Sequence, residues 1–360
     1  MSGSNQITIY HIYPHENRKK HHKHIQSEVD FSKESPRGAA KRELRKKKQK
    51  TESVAVEQSE DDDKAFFLHK PYLAFHSPPK VLYNGPDKKA KPVVLIHAGS
   101  FWREYKLQYG DSLAARNVID PRGVVKWKHN GGTKEELKLD DRKLKGYKVR
   151  TRRFWGEQGK TYVRQVQTNR QNGTGDDPNV VVGGSGNEGQ QIAKAEGVVY
   201  LRWERPFSLK TRQYKFTYAD VEFRWKGTKS VRKSGLFGVF MRYTQLKLEA
   251  QLPATISGKE AGTSVCLGKY ISSVSKQKHG RLELYGEAIS NLRDHITRLA
   301  MKNGVNENQT EKGKSLRDTE LYQLIIATAM CMIQSEKQKR AAAGKWIKDA
   351  LEGGGDGGGE

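Results

Sequence analysis

The chain has 360 residues, 35% of them apolar, with a formal net charge of +25 and an isoelectric point near 9.8. Apolar content below the ~45–50% of ordinary globular domains leaves part of the chain outside any core, and two cysteines, Cys266 and Cys331, exclude a disulfide framework. Residues 1–64 carry +3 and residues 301–360 carry zero, so +22 falls in residues 65–300. A basic body implies an acidic partner, whether nucleic acid, anionic lipid or acidic protein, or else a soluble basic surface with no specific partner.

Residues 1–64 are predicted to be a disordered, charged tail. It opens with a short β-like piece, ITIYHIY, followed by a stretch rich in histidine and base. Seven of the ten residues from Lys41 to Lys50 are basic, in the manner of a nuclear-localisation or polyphosphate patch. The acidic run Ser59 to Asp63 then reverses the sign, and Ser59 in that setting suits phosphorylation. The first 30 residues lack an apolar signal-peptide core, so the expected location is cytoplasmic or nuclear, with peripheral membrane contact.

Order is expected from Phe66, in a strand broken by Pro71. Asn84-Gly-Pro-Asp87 is turn chemistry, and Pro92 to Ile96 is a continuous apolar strand. Asp120, Pro121 and Gly123 occupy the i, i+1 and i+3 places of a type I turn, flanked by short strands. Gly146 to Trp155 alternates so that Lys148, Arg150 and Arg152 share one face, about 7 Å apart. Such a row can clamp phosphates by charge-assisted hydrogen bonds, or simply keep an outward strand face soluble. Thr168 to Gly197 reads as a flexible hairpin insertion. Its Gly183-Gly-Ser-Gly lacks the Lys-Ser/Thr ending of a phosphate loop.

Strands are expected at Val198 to Glu204, as one long strand at Tyr214 to Trp225, and at Gly235 to Leu252, Ser264 to Val274 and Arg281 to Tyr285. On the long strand Arg224 and, just past it, Lys226 alternate with the apolar Val221, Phe223 and Trp225. Glu287 to Asn303 carries a one-sided helical stripe of Ile289, Leu292, Ile296 and Leu299. Ser315 to Asp318 has capping-box form and precedes a second helix, 319–338. A short helical turn and a glycine-rich tail fill residues 341–360.

Within that second helix, every residue from Leu324 to Ile333 is apolar except Thr328. A helix apolar on all sides is buried on all sides, and this one falls short of the ~20 residues a membrane span requires. Nearly everything before it reads as strand. The predicted fold is therefore mainly β: a closed antiparallel barrel of about twelve strands over residues 65–340, enclosing the C-terminal helix.

Many antiparallel strands followed by one apolar helix resemble the tubby C-terminal-like superfamily, which holds tubby proteins, LURP-one-related proteins and phospholipid scramblases. The segments YADVEFRWKGTKSVR (218–232) and LYQLIIATAMCMIQSEKQKR (321–340) carry the resemblance, which points to fungal members. It implies a twelve-strand barrel around the final helix and phosphoinositide binding at a membrane face. The headgroup site of tubby proteins uses a Lys-x-Arg pair, and Lys148-Val-Arg150 has that form. No acidic calcium loop of scramblase type is present, which speaks against scramblase activity.

The expected function is non-catalytic binding of anionic phosphate groups, phosphoinositide headgroups foremost, through Lys148, Arg150, Arg152, Arg224 and Lys226. No catalytic constellation, metal site or cofactor motif stands out. The body histidines His69, His76, His97, His129, His279 and His295 are scattered, and the pairs Asp140-Asp141 and Asp176-Asp177 fall in polar, solvated loops. Two other readings fit: a nuclear nucleic-acid binder using the same basic surface, and an adaptor barrel with no small ligand.

Overall fold

In the computed structural model the described residues are 7–17, 20–28, 65–71, 76–99, 104–126, 129–131, 134–146, 148–149, 168, 192–204, 213–227, 245–252, 263–273, 279–302 and 314–352. Strands β1 (Ile7–Asn17), β2 (Lys20–Glu28), β3 (Phe66–His69), β4 (His76–Ser77), β5 (Lys80–Asn84), β6 (Lys91–Ala98) and β7 (Glu104–Tyr109) come first. Helix α1 (Lys134–Leu139) and β8 (Lys148–Val149) follow. Then come β9 (Gly197–Glu204), β10 (Gln213–Tyr218), β11 (Val221–Gly227), β12 (Gln245–Gln251), β13 (Ser264–Ser272) and β14 (Gly280–Tyr285). Helices α2 (Gly286–Lys302) and α3 (Glu320–Glu352) end the chain.

The protein is mainly β. Eleven strands neighbour one another in the order β1-β14-β13-β12-β11-β10-β9-β7-β6-β5-β3, every pair antiparallel. β2 pairs antiparallel with both β1 and β3. Alternation sets the inward faces: Val221, Phe223 and Trp225 on β11 are buried, as are Leu246, Leu248 and Ala250 on β12. β3, β5 and β6 are buried on both faces. Phe66, Leu68, Leu82, Val94 and Ile96 join the main core, while Phe67, Val81, Tyr83 and Leu95 join a second core with Leu113, Val118, Val125, Leu144 and Ala195. That is why Phe66 to Leu68 and Val93 to Ile96 read as unbroken apolar runs.

The structure differs from the expected tail at its start. Ile7–Asn17 is a strand registered against β14, with Ile9, Tyr10 and Ile12 buried. The β-like piece at the N-terminus is thus part of the core, because β14 would otherwise present an unpaired edge there. Lys20–Glu28, also within the expected tail, is a strand paired with β1 and β3; residues 29–64, including the Lys41–Lys50 run and Ser59, lie outside the described residues, as do most of Thr168 to Gly197 and the glycine-rich end.

The long strand expected over Tyr214 to Trp225 is a hairpin. Tyr218 pairs with Val221, and Ala219 (φ 47°) and Asp220 (φ 60°) are both left-handed, the geometry of a two-residue type I′ turn. Alanine is not a residue that announces such a turn, so the break was hidden in the pattern.

α3 is buried from Leu321 to Glu336. Each large side chain so covered contributes roughly 1.5–3 kcal/mol relative to leaving it exposed. Its polar groups meet partners on five strands: Tyr10 and Tyr322 hydroxyls at 2.9 Å, Tyr105 hydroxyl and Ser335 at 2.8 Å, Tyr214 hydroxyl donating to Glu336 at 2.8 Å, Trp225 Nε1 donating to Thr328 at 3.2 Å, and Lys80 Nζ donating to Gln334. The start of the helix departs from the capping box. Ser315 makes no side-chain cap hydrogen bond, and a 3₁₀ turn, Leu316–Asp318, intervenes before Gln323 N–H donates to the Thr319 carbonyl. Its end departs too. The helix runs without interruption to Glu352, so the separate turn expected after 341 is its continuation, favoured by the helix-forming Ala341-Ala-Ala.

Ala329 is fully buried. An aspartate there would be a charge with no partner, a cost of several kcal/mol against a typical stability of ~5–15 kcal/mol. Ala329→Asp should abolish the cooperative near-UV circular dichroism transition on urea titration. A folded variant with wild-type cooperativity would refute the burial of this helix.

Candidate functional site

Of the basic residues singled out from sequence, Lys148 belongs to β8, which among the described residues pairs with β4 in a two-stranded sheet, whereas Arg224 and Lys226 stand on β11 of the main sheet. Arg150 and Arg152 lie outside the described residues.

On the main sheet the outward positions form a lattice of opposite charges. Arg224 pairs with Glu222, and Lys226 with Glu249 at 3.3 Å. Around them Arg202 pairs with Glu104 at 2.7 Å, Lys215 with Glu204 at 2.8 Å, and Lys269 and Arg281 share Glu283 at 2.9 and 2.8 Å. Exposed pairs of this kind stabilise by only ~0–1 kcal/mol each, but they answer the charge locally. Cross-strand neighbours stand close enough for each carboxylate to reach a cation. Arg224 and Lys226 are therefore poor candidates for an open phosphate site.

The second core builds a lobe on the outer face of β3, β5 and β6, from residues 110–146 and 192–196. Two turns legible in the sequence meet at its edge. The β5–β6 turn carries Lys88 and Lys89. The Asp120 turn closes with Gly123 N–H donating to the Asp120 carbonyl at 2.8 Å and an Ile119–Val125 bridge. Gly123 needs its left-handed φ of 80°, and any Cβ there would stand 2.4 Å from the His69 ring.

Between the turns lies an open cleft of about 370 Å³. Lys88, Lys89, Arg116 and Lys126 line it, with an apolar wall that includes Pro92, Leu113 and Ile119. Lys88 Nζ donates to the Pro121 carbonyl at 3.2 Å and Lys126 Nζ to Asn117 Oδ1 at 2.8 Å, both neutral acceptors. Lys89 and Arg116 are exposed, and their side chains have no hydrogen bond or ion pair among the described residues. The one acid in the lining, Asp120, is engaged elsewhere: it accepts from Arg122 N–H at 2.9 Å, Val124 N–H at 3.0 Å and Arg122 Nε at 2.7 Å. Four cations thus face one cleft and none is paired with a carboxylate. Asn117, which holds Lys126, is itself left-handed at φ 68°, a conformation that asparagine tolerates better than most residues. Tyr83 in the floor is buried, and desolvation, with Asp120 adding to it, holds its hydroxyl protonated far above the ordinary tyrosine range.

Three of the histidines fasten parts of the fold. His69 bonds the Arg122 carbonyl at 2.8 Å, His129 Nδ1 accepts from Ala193 N–H at 3.1 Å, and His97 bonds Gln108 Oε1 at 2.8 Å. Gln108, fully buried, donates to the carbonyls of Asp141 and Lys143 at 2.9 and 2.7 Å, fastening the lobe to β7. Asp140 and Asp141, expected as solvated loop residues, are fastenings as well. Asp140 pairs with Lys194 at 2.8 Å, and Asp141 accepts from Lys106 at 2.8 Å and from the Tyr200 hydroxyl at 2.6 Å. The partners are 59 residues apart or fewer but not adjacent, so no local motif marked them.

Comparison with known proteins found no matching family model, no matching curated protein and no matching solved structure.

Burial pushes the His97 ring down from its ordinary 6.5 to about 3, with the Gln108 hydrogen bond opposing the shift. The unfolded chain takes up a proton below 6.5 and the folded chain does not until about 3, so stability falls as pH drops through that window, by up to about 1.4 kcal/mol per pH unit. Urea midpoints measured across the window should decline more steeply for the wild type than for His97→Asn. Parallel declines would show that His97 is not responsible.

Proposed function

We propose that this protein is a non-catalytic binding module for phosphate-bearing anions, with phosphoinositide headgroups at a membrane surface as the favoured class, and that the cleft between the β5–β6 turn and the Asp120 turn is where they bind. The observation that carries the reading is the set of four cleft cations, Lys88, Lys89, Arg116 and Lys126, left without a carboxylate. Elsewhere on the main sheet most outward cations have such a partner. A volume near 370 Å³ is in the range of small-molecule clefts and holds one phosphorylated ring better than an extended strand.

The architecture we infer is the closed, tubby-like barrel with α3 as its central helix. Two observations support it: β2 pairs with both β1 and β3, and α3 meets partners on β1, β7, β10 and β11. Among the described residues no helix is long and apolar enough to cross a membrane, so membrane contact in this reading is peripheral. The nucleic-acid alternative receives less support. Sequence-tolerant strand binding relies on exposed stacking aromatics, and the one aromatic lining the cleft, Tyr83, is 3% exposed.

Charge-assisted hydrogen bonds contribute ~1.5–3 kcal/mol each, so replacing both Lys89 and Arg116 with glutamate should weaken binding of soluble inositol trisphosphate by at least about tenfold in calorimetry. Arg224→Gln with Lys226→Gln should leave it unchanged. Binding insensitive to the cleft pair, or tighter binding to single-stranded RNA across a salt series, would overturn the reading.

A further inference from the structure

Of the four cations that line the cleft, two are held and two are not. Lys88 and Lys126 each donate to a neutral oxygen of the lobe, whereas the side chains of Lys89 and Arg116 have no hydrogen bond or ion pair among the described residues. Lys126 is the more fully fixed of the held pair. Its backbone N–H donates to the Val118 carbonyl at 2.8 Å, next to the Ile119–Val125 bridge, and its Nζ donates to Asn117 Oδ1 at 2.8 Å. The half-buried side chain is therefore tied at both ends, and both ties lead to adjacent residues, Asn117 and the buried Val118. Asn117 itself is exposed and belongs to neither core.

The backbone at Asn117, with φ 68°, suits glycine, asparagine and aspartate better than other residues. Elsewhere the chain places an aspartate, Asp220, in the same region at φ 60°. Backbone conformation alone thus admits three residues at 117, and they act differently on Lys126. Glycine has no acceptor and would leave a long side chain free to rotate. Aspartate would pair the ammonium with a carboxylate, as Glu249 does for Lys226 at 3.3 Å. Asparagine holds the ammonium by one neutral oxygen and leaves its full charge and its other two N–H donors to a ligand. A lysine held in this way has less rotamer freedom to lose when an anion arrives. We infer that Asn117 is a positioning residue of the cleft, aiming the Lys126 ammonium at a bound phosphate without neutralising it. This rests on the cleft reading above.

The test measures calorimetric binding of soluble inositol trisphosphate to the full chain across a salt series. Asn117→Gly keeps the left-handed backbone and removes the acceptor. Its affinity should fall about three- to tenfold, with the slope of log affinity against log salt unchanged, because no charge is lost. Asn117→Asp keeps the shape and the acceptor but pairs the ammonium. Its affinity should fall at least about tenfold, with a shallower salt slope. In a Lys126→Gln background, Asn117→Gly should weaken binding no further, a coupling that a merely structural role for Asn117 would not produce. Losses that add in that double variant overturn the inference, as does an Asn117→Asp variant that binds like the wild type. In either case the cleft reading stands if Lys89→Glu with Arg116→Glu still weakens binding. If that pair leaves binding unchanged, the cleft reading falls and the role of Asn117 falls with it.

Discussion

One constraint organises the molecule: a helix that is apolar on every side has to be covered on every side. From Leu321 to Ile333 no face of α3 tolerates water. Of the polar groups along it, Tyr322, Thr328, Ser335 and Glu336 are answered by hydroxyl or indole groups that arrive from β1, β11, β7 and β10 respectively, while Gln323 donates to the Asp318 carbonyl and Gln334 accepts from Lys80 on β5. Those strands stretch from β1 to β5 along the sheet order, and they contribute residues to one core. The requirement reaches the N-terminus, where β1 supplies Tyr10 and Ile12 to the same core. The buried apolar residues are therefore concentrated: among the described residues the sheet interior and one helix hold most of them.

Charge is distributed by the same geometry. On a regular sheet, outward residues of neighbouring strands stand side by side, so a cation on one strand finds a carboxylate on the next. Arg202 with Glu104, Lys226 with Glu249 and Lys269 with Glu283 all follow that rule. A lobe of turns has no such lattice. Where the β5–β6 turn approaches the Asp120 turn, Asp87 and Asp120 each accept backbone N–H groups of their own turn, and the cations of both turns face the gap. The cleft is electropositive because the turns that shape it use their acceptors internally.

Much of the fold was legible. Period-2 alternation marked β11, the unbroken apolar runs marked the doubly buried β3 and β6, the stripe through Ile289 and Ile296 marked α2, and the apolar segment marked α3. Less legible were features without a local signature. Ala219-Asp220 turns the chain without glycine or asparagine, and β1 reads as a tail until β14 is beside it. Of the candidate site, both turns were readable in the sequence and their meeting was not.

Residue order by itself determined which segments could be strand and which helix, because side-chain periodicity and turn chemistry act within a few residues. It also determined that one helix must be enclosed, since its composition leaves no face for solvent. Only the tertiary structure decided which of the many basic residues keep an unanswered charge. Arg224 and Arg116 look alike in a sequence, yet one stands beside Glu222 and the other opens onto a cleft. The difference is electrostatic and local in space: a charge is matched or left open by what lies a few ångströms away, and those neighbours come from segments that the chain brings together only when it folds.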